Sequence, residues 1–500
     1  MISCTRTAGL ALVVLGHAVR WAAGVDVNTC TALVEEISLV TTNKPTTMTL
    51  TADLVCTETV GILAVQDITV DGEEYKITIA SGFSDASSLG ASLFSNLGTL
   101  TINSLDVVED EETQTTDPAV RAIYNEGTLT VKDSKFIGLN LRDSEEDNVH
   151  LERGGVIYSN TLDRTLHIEG STFTSNLGSE FGGAICALGT GKLTIVDSDF
   201  SGNEVSADSG KDTGRGGDVY AERGLELSVE SSRFTGSSAD MAGASIWCCG
   251  ATLTDSSFTS LETSLNTGNY GGVTSGLPGE ATCPFDLFIE NCNFTRCDAY
   301  TVGGKGGALA IFDTTTEIFG TMIVDSQGTA IVFESTSATS PHQLKLNNVE
   351  LYQNTDGAED FMYDTRTLGS AMVVTNTGLE EGDESITMGT FNNLFCFGNI
   401  PWECEVMYNM ANVKHSGEQK CNVCNAEGVK QDIVLDDSDG LGVTDRSVDT
   451  DSSDQNQNVI IGLSFALGLT LVVIGALAVY KFRVRKNARR LMEDMGDGDL

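Results

Sequence analysis

Proline is nearly missing from this sequence: there are 6 in 500 residues, against 53 glycines. That balance argues against a disordered chain and for regular structure punctuated by tight turns. Basic residues are scarce too, 29 against 71 acidic, for a net charge of −42. Residues 24–458 carry 21 basic and 67 acidic residues, a net of −46. Such a surface repels nucleic acid and anionic membranes. Divalent cations or basic partners remain compatible with it, and a self-repelling, solvated surface accounts for it most simply. The five histidines are scattered. No Gly-x-Ser-x-Gly, His-Glu-x-x-His or P-loop occurs, which removes the commonest nucleophile, zinc-hydrolase and nucleotide signatures. Asn-Gly and Asp-Gly turns are few, which argues against stacked hairpins and sandwiches.

The two ends read as targeting segments. Arg6, the apolar run "AGLALVVLGHAV" and the small residues of "WAAG" predict a signal peptide over 1–23. Val459 to Tyr480 is a run of 22 residues without a charge, followed by "KFRVRKNARR". That length suits a bilayer core of ~30 Å, and the basic cluster marks the cytoplasmic side. The expected topology is type I at the plasma membrane, with the N-terminal domain outside. A transmembrane helix covers 459–480 and a cytoplasmic tail covers 481–500. Gly462 and Ala466 form a small-xxx-small pair of the kind that helix dimers use.

Between these ends the chain repeats itself. "LTINSLDV" at 100, "LTVKDSKF" at 129, "LHIEGSTF" at 166, "LTIVDSDF" at 193, "LSVESSRF" at 227, "LTDSSF" at 253 and "LFIENCNF" at 287 are variants of one phrase. A second element alternates with it: "RGGVIYS" at 153, "FGGAICA" at 181, "RGGDVYA" at 215, "AGASIW" at 242, "YGGVTSG" at 270 and "KGGALAIF" at 305. In "LTIVDSDF" the alternation of Leu193, Thr194 and Ile195 is that of a strand with one buried face. Asp197 and Ser198 supply a turn, and Phe200 returns to the core. The glycine pair permits a tight bend. From 100 to 287 the phrases recur every 26 to 37 residues. One such unit cannot bury its apolar face alone, whereas stacked units can, so the pattern predicts a solenoid. With short strands and no helical period between them, the expected fold is all-β, a parallel β-helix.

"FGGAICA", "KGGALAI", "FTSN" at 173–176 and "FSGN" at 200–203 resemble the Gly-Gly-Ala-Ile and Phe-x-x-Asn repeats of the chlamydial polymorphic outer-membrane proteins. More broadly they resemble right-handed, pectate-lyase-like β-helices. The resemblance covers 130–310 well and about 45–400 loosely. It implies a right-handed winding and, from the chlamydial proteins, adhesion at a surface. Only Asn176 and Asn203 hold the Asn place strictly; Ser237 and Cys297 stand there in two other units. The chlamydial proteins end in an outer-membrane barrel, and this chain ends in a single apolar helix.

The expected organisation is therefore a β-helix over 24–395, a cysteine-rich cap over 396–428 and an acidic, disordered stalk over 429–458. "TCTALVEEISLV" before the first strands predicts a capping helix or strand. Thirteen cysteines suit an oxidising compartment; Cys4 leaves with the signal and the other twelve could all pair. Cys30 with Cys56 is the expected N-terminal bond. Cys396, Cys404, Cys421 and Cys424 are expected to form two structural disulfides, with a four-thiolate zinc site as the alternative. Cys248 and Cys249 are expected to reach different neighbours. Asn293 opens an N-glycosylation sequon, and if Phe294 faces the core then Asn293 and Thr295 face out.

The catalytic candidates are thin. "NTDG" at 354–357 matches a short motif of polygalacturonase-like glycosidases, which makes Asp356 the one acid–base candidate. That family also needs a carboxylate pair, a Gly-His-Gly and an Arg-x-Lys downstream. Here Asp436-Asp437 falls in the stalk and His415 sits in "KHSG". Arg142, Arg164 and Arg215 are candidates for a lyase base by type alone, with calcium as its cation. No cofactor is expected. The function expected from all this is non-catalytic recognition of an extracellular glycan or protein. A polysaccharide lyase or hydrolase and a structural surface spacer are the alternatives.

Overall fold

The computed structural model describes residues 24–41, 44–84, 91–110, 120–141, 153–206, 214–263, 270–277, 283–299, 306–336, 342–354, 371–376, 387–397, 399, 406–409, 412–421 and 423–425. Their strands pair in parallel, coil upon coil. One coil is Ile185–Val196, Asp199–Ser201 and Glu204–Val205. The expected parallel β-helix is thus the observed fold. The signal segment, Arg142, Asp356, Cys404, Asp436, Asp437, the stalk and residues 459–480 lie outside the described residues. Among the described residues no helix is long and apolar enough to cross a membrane.

Three apolar columns fill the inside. The first stacks Ile123, Ile157, Ile185, Val219, Ile246, Val273, Leu309, Ile331 and Met372. The second stacks Leu100, Leu129, Leu166, Leu193 and Leu227, with Ile102, Val131, Ile168, Ile195 and Val229 beside them. The third is aromatic: Phe136, Phe173, Phe200, Phe234, Phe258 and Phe294. Their ring centroids are 4.7 to 5.1 Å apart, and no ring tilts more than 13° from the next. Equal rings at strand spacing stack because the coils repeat at the distance of a β-ladder.

The corners explain the rest of the motif. Asp133, Gly170, Asp197, Ser231, Asp255 and Asn291 all adopt φ between 48° and 58°. Gly, Asn and Asp enter that left-handed region at least cost. The serine that follows is buried and does two jobs. Its hydroxyl donates to the carbonyl two residues back, as Ser198 Oγ does to Val196 at 2.8 Å. It also accepts the amide of the preceding coil's serine: Ser134 from Leu105, Ser171 from Ser134, Ser198 from Ser171, Ser232 from Ser198 and Ser256 from Ser232. A second buried ladder runs through Asn176 and Asn203, where Asn176 Nδ2 donates to Asn203 Oδ1 at 2.9 Å. The glycine pair closes the coil. A Cβ on Gly182, whose φ is 65°, would overlap the Ile185 carbonyl, and one on Gly183 would overlap the Gly217 carbonyl.

The open N-terminal end is covered by the helix Cys30–Leu39, which Thr29 caps through a bond from the Ala32 amide at 3.1 Å. Leu33 and Ile37 seal the core. Gln66 Nε2 donates to the Ile37 and Val40 carbonyls at 2.8 and 2.6 Å, satisfying the helix C-terminus. Cys30 bonds Cys56, Cys249 bonds Cys283 and Cys396 bonds Cys421. Strands at 406–409, 412–420 and 423–425 keep the parallel register, so the cysteine-rich stretch carries further coil strands.

Complete pairing of the twelve cysteines is corrected by the structure. Cys186, Cys248, Cys292 and Cys297 are free thiols and buried. Each fills a ladder position with no second thiol beside it in register. Cys186 sits between Tyr158 and Tyr220, Cys248 pairs with Ser275, and Cys297 pairs with Leu261. Cys292 takes the serine place, its Sγ donating to Glu290 O at 3.4 Å and its amide donating to Thr321 Oγ1. Burial pushes Cys186, Cys248 and Cys297 up to about 12, which keeps them protonated and unreactive.

The phenylalanine column predicts a graded response. Phe234→Ala should cost about 3–5 kcal/mol, because two stacked rings and a closed core surround the hole. Thr235→Ala on the outer side of the same strand should cost under about 0.5 kcal/mol. Denaturation midpoints of the two variants check this, and equal losses would contradict the column's role.

Candidate functional site

The strands that follow the glycine pairs are buried on both faces: Arg121–Asn125, Val219–Ala221 and Ile246–Cys248 have no exposed residue. Their inward side chains belong to the first column. Their outward side chains form another: Tyr124, Tyr158, Cys186, Tyr220 and Trp247 in direct register. The Tyr220 and Trp247 rings stack at 4.6 Å and 7°, and Phe181 leans on Tyr220 at 4.6 Å.

Arginines complete the column. Arg121 lies over the Tyr158 ring at 5.0 Å, Arg153 over Phe181 at 5.0 Å and Arg215 over Trp247 at 5.4 Å. Aromatic faces attract cations most where water is excluded, and Arg121 is fully buried. Carboxylates flank the column. Glu126 accepts the Tyr124 hydroxyl at 2.6 Å, Glu180 faces Arg153 at 3.4 Å, and Glu222 accepts the Gly189 amide at 2.7 Å. Phe181, Met241 and Tyr270 pack against the column and still reach solvent.

This arrangement stacks and donates, and it is poorly built to abstract protons. A tyrosine base needs a lowered pKa. Burial, followed by the Glu126 hydrogen bond, pushes Tyr124 far above the ordinary phenol value. Burial raises Tyr158 to about 12. Both hydroxyls therefore stay protonated at neutral pH. Arg215, a candidate base by type, is committed to the Trp247 face. Arg164 stands apart from the column, exposed, with Nη1 donating to Leu97 O at 3.2 Å. His415 lies on the strand Asn412–Lys420, opposite Phe391. In "NTDG", Asn354 is fully buried and ladder-bonded: Nδ2 donates to Ile323 O and Asn399 Oδ1, and Oδ1 accepts from Ser326. That part of the motif is a coil corner. Asn293 is exposed beside buried Phe294, as the sequon's geometry requires. Among the described residues no cluster of three or more His, Cys, Asp or Glu could hold a metal. The Cys396–Cys421 bond uses two of the four thiols that a zinc site would take.

The outward column was missed in the sequence, although a signal was present. "VIYS", "AICA" and "SIWC" are continuous apolar runs where a half-buried strand would alternate, and such runs mark strands covered on both faces.

One titratable group lies on the inner side of the same coils. Asp218 stands where the neighbouring coils carry Ala184 and Ser245, and it is fully buried. Asn203 Nδ2 and Ser237 Oγ donate to its Oδ1 at 2.8 and 2.7 Å. Burial pushes its carboxyl up to about 7, against the hydrogen bonds from Asn203 and Ser237.

No known protein family matches this chain, and no curated protein matches it. Solved structures similar to it include two polysaccharide epimerases. The periplasmic alginate epimerase AlgG shares 10% identity at a TM-score of 0.34, over 74% of this chain and 83% of that one. The Azotobacter vinelandii mannuronan C-5 epimerase AlgE6 A-module shares 10% identity at 0.29, over 82% of this chain and 97% of that one. Likeness of that degree carries no argument about activity.

Asp218 sets a pH dependence. Its folded value lies above the unfolded one, so its contribution to stability is complete below about pH 4 and is lost as pH rises through about 7. The loss is on the order of 4 kcal/mol by linkage. Asp218→Asn keeps both hydrogen bonds to Oδ1 and has no charge to desolvate. It should be more stable than the parent at pH 8 and equal to it near pH 4. Melting temperatures of both proteins across that range check the sign, and parallel profiles would contradict it.

Proposed function

We propose that this chain is a cell-surface recognition protein. Its coils, wound to the right, form a rigid non-catalytic scaffold for adhesion to an extracellular glycan or protein. A cleaved leader over 1–23 and a single membrane-spanning helix over 459–480 hold the ectodomain outside the cell, with a glycan on Asn293. The observation that carries the reading is the aromatic–arginine column: rings and guanidinium groups are aligned along several coils, with tyrosine hydroxyls held in their donating form. Phe181, Met241 and Tyr270, with the edge of Arg153, form its solvent-facing rim. Such a rim offers stacking to sugar or aromatic groups and a charged fork to carboxylates. The acidic surface around it disfavours nucleic acid.

The purified full chain, applied to a glycan array and to alginate and pectin with calcium, tests this. Retention should weaken several-fold in Phe181→Ala and Tyr270→Ala, with the polymers left intact. Release of unsaturated or reducing ends by the wild type would overturn the non-catalytic reading.

A further inference from the structure

The strands that carry the second apolar column, one sheet of the coil, present an outer face of a different kind. In direct register its outward side chains are Thr47, Thr69, Thr101, Thr130, His167, Thr194, Ser228 and Thr252. Seven of these eight carry hydroxyls. Two residues back along the strands runs a second column: Asp67, Thr99 and Thr128 in register, with Thr165 and then Lys192 and Glu226 continuing it. The middle coils therefore repeat Thr-x-Thr, as Thr99-Leu-Thr101 and Thr128-Leu-Thr130.

Three properties separate this patch from an ordinary exposed sheet. In a chain of net charge −42, the column from Thr47 to Thr252 holds no acid, and its one ionisable member is His167, which bonds Glu169 at 3.3 Å. Charges gather at its margins, where Lys132 pairs with Glu169 at 2.6 Å and Lys192 with Glu226 at 3.1 Å. Thr69, Thr99, Thr101, Thr128, Thr130 and Thr194 make no side-chain hydrogen bond to another described residue, and all are partly open to solvent. Strand geometry places their hydroxyls ~4.8 Å apart along the axis and ~6.6 Å apart across it. β-Branching limits each side chain to few rotamers, so hydroxyls and methyls repeat in fixed positions.

At its centre, over Thr99, Thr101, Thr128 and Thr130, this is a rigid, uncharged lattice of alternating hydroxyls and methyls, and that spacing has a natural counterpart. Oxygen atoms on a face of hexagonal ice repeat at closely similar distances. Hydroxyls can take lattice water positions while the methyls fill the hollows between them. We propose that this face, centred on Thr99, Thr101, Thr128 and Thr130, binds ice. A sheet that holds its side chains in register meets a crystal without ordering cost, which is where a periodic ligand gains most. The hydroxyl column of the neighbouring sheet, Thr174, Ser201, Thr235, Thr259 and Thr295, also holds no acid, but the column two residues back from it carries threonine only at Thr172, so no lattice of paired threonine columns forms there. Asp199 and Arg233 form an exposed ion pair beside it, and the sequon's Asn293 stands in the column alongside. The threonine face and the aromatic column lie on different sheets, so the two assignments fail separately.

The test is ice-affinity partition of the purified full chain, with growth on a chilled surface and measurement of the protein incorporated. Wild type should enter the ice several-fold above an inert acidic protein and should inhibit recrystallisation. Thr101→Lys with Thr130→Lys should lose both effects while keeping the wild-type circular dichroism and melting temperature. Thr235→Lys with Thr259→Lys on the neighbouring sheet should retain both. Wild type that partitions no better than the inert protein overturns the proposal, whatever the variants do. So does retained partition in a folded Thr101→Lys/Thr130→Lys protein.

Discussion

Everything in this molecule depends on register between one coil and the next. A parallel stack has no hairpin to fix its pairing, and a slip of one residue would turn every inward side chain outward. The apolar columns alone fix the register weakly, because Leu, Ile and Val are nearly interchangeable inside. The polar ladders fix it sharply. Each buried serine must accept an amide from the coil before it, and each buried asparagine must meet the next asparagine or its substitute. A displaced coil leaves those donors unpaired in a dry interior, at about 1–3 kcal/mol each.

That constraint explains why the shared motif is so recurrent and so uninformative about function. Gly-Gly, Asp-Ser-x-Phe and Phe-x-x-Asn are the pieces that hold one coil upon another. Substitutions within the motif keep its hydrogen-bonding role. Cys292 donates like a serine, and Cys297 points its thiol at the Phe258 carbonyl, as Asn203 points its amide at Phe173. The free thiols of a chain that also holds three disulfides are then ladder members, enclosed where they cannot react.

The period-2 pattern of "LTIVDSDF" was enough to place Leu193, Ile195 and Phe200 inside, and recurrence was enough to stack them. Asn203 could be read as a ladder residue for the same reason. Asn354 and Asn399 could not, because Leu351 and Cys396 stand in the Phe place three residues earlier and hide the motif. The cysteines misled because composition counts thiols without saying which coil faces which. The outward aromatic column was hidden differently. Its residues are spaced by whole coils of unequal length, so no window along the chain brings Tyr158, Tyr220 and Trp247 together. The threonine face was in view in the strand phrases, yet its regularity has meaning only once the strands are in register.

The ladder claim is open to one direct measurement. Hydrogen exchange by mass spectrometry on Asn203→Leu should show lost protection in the coils that Asn203 joins, around 172–178 and 215–221, with the coil at 309–324 unchanged. Fading of protection at residue 203 alone, or equally along the whole stack, would contradict the view that buried polar ladders hold each coil in register with the next.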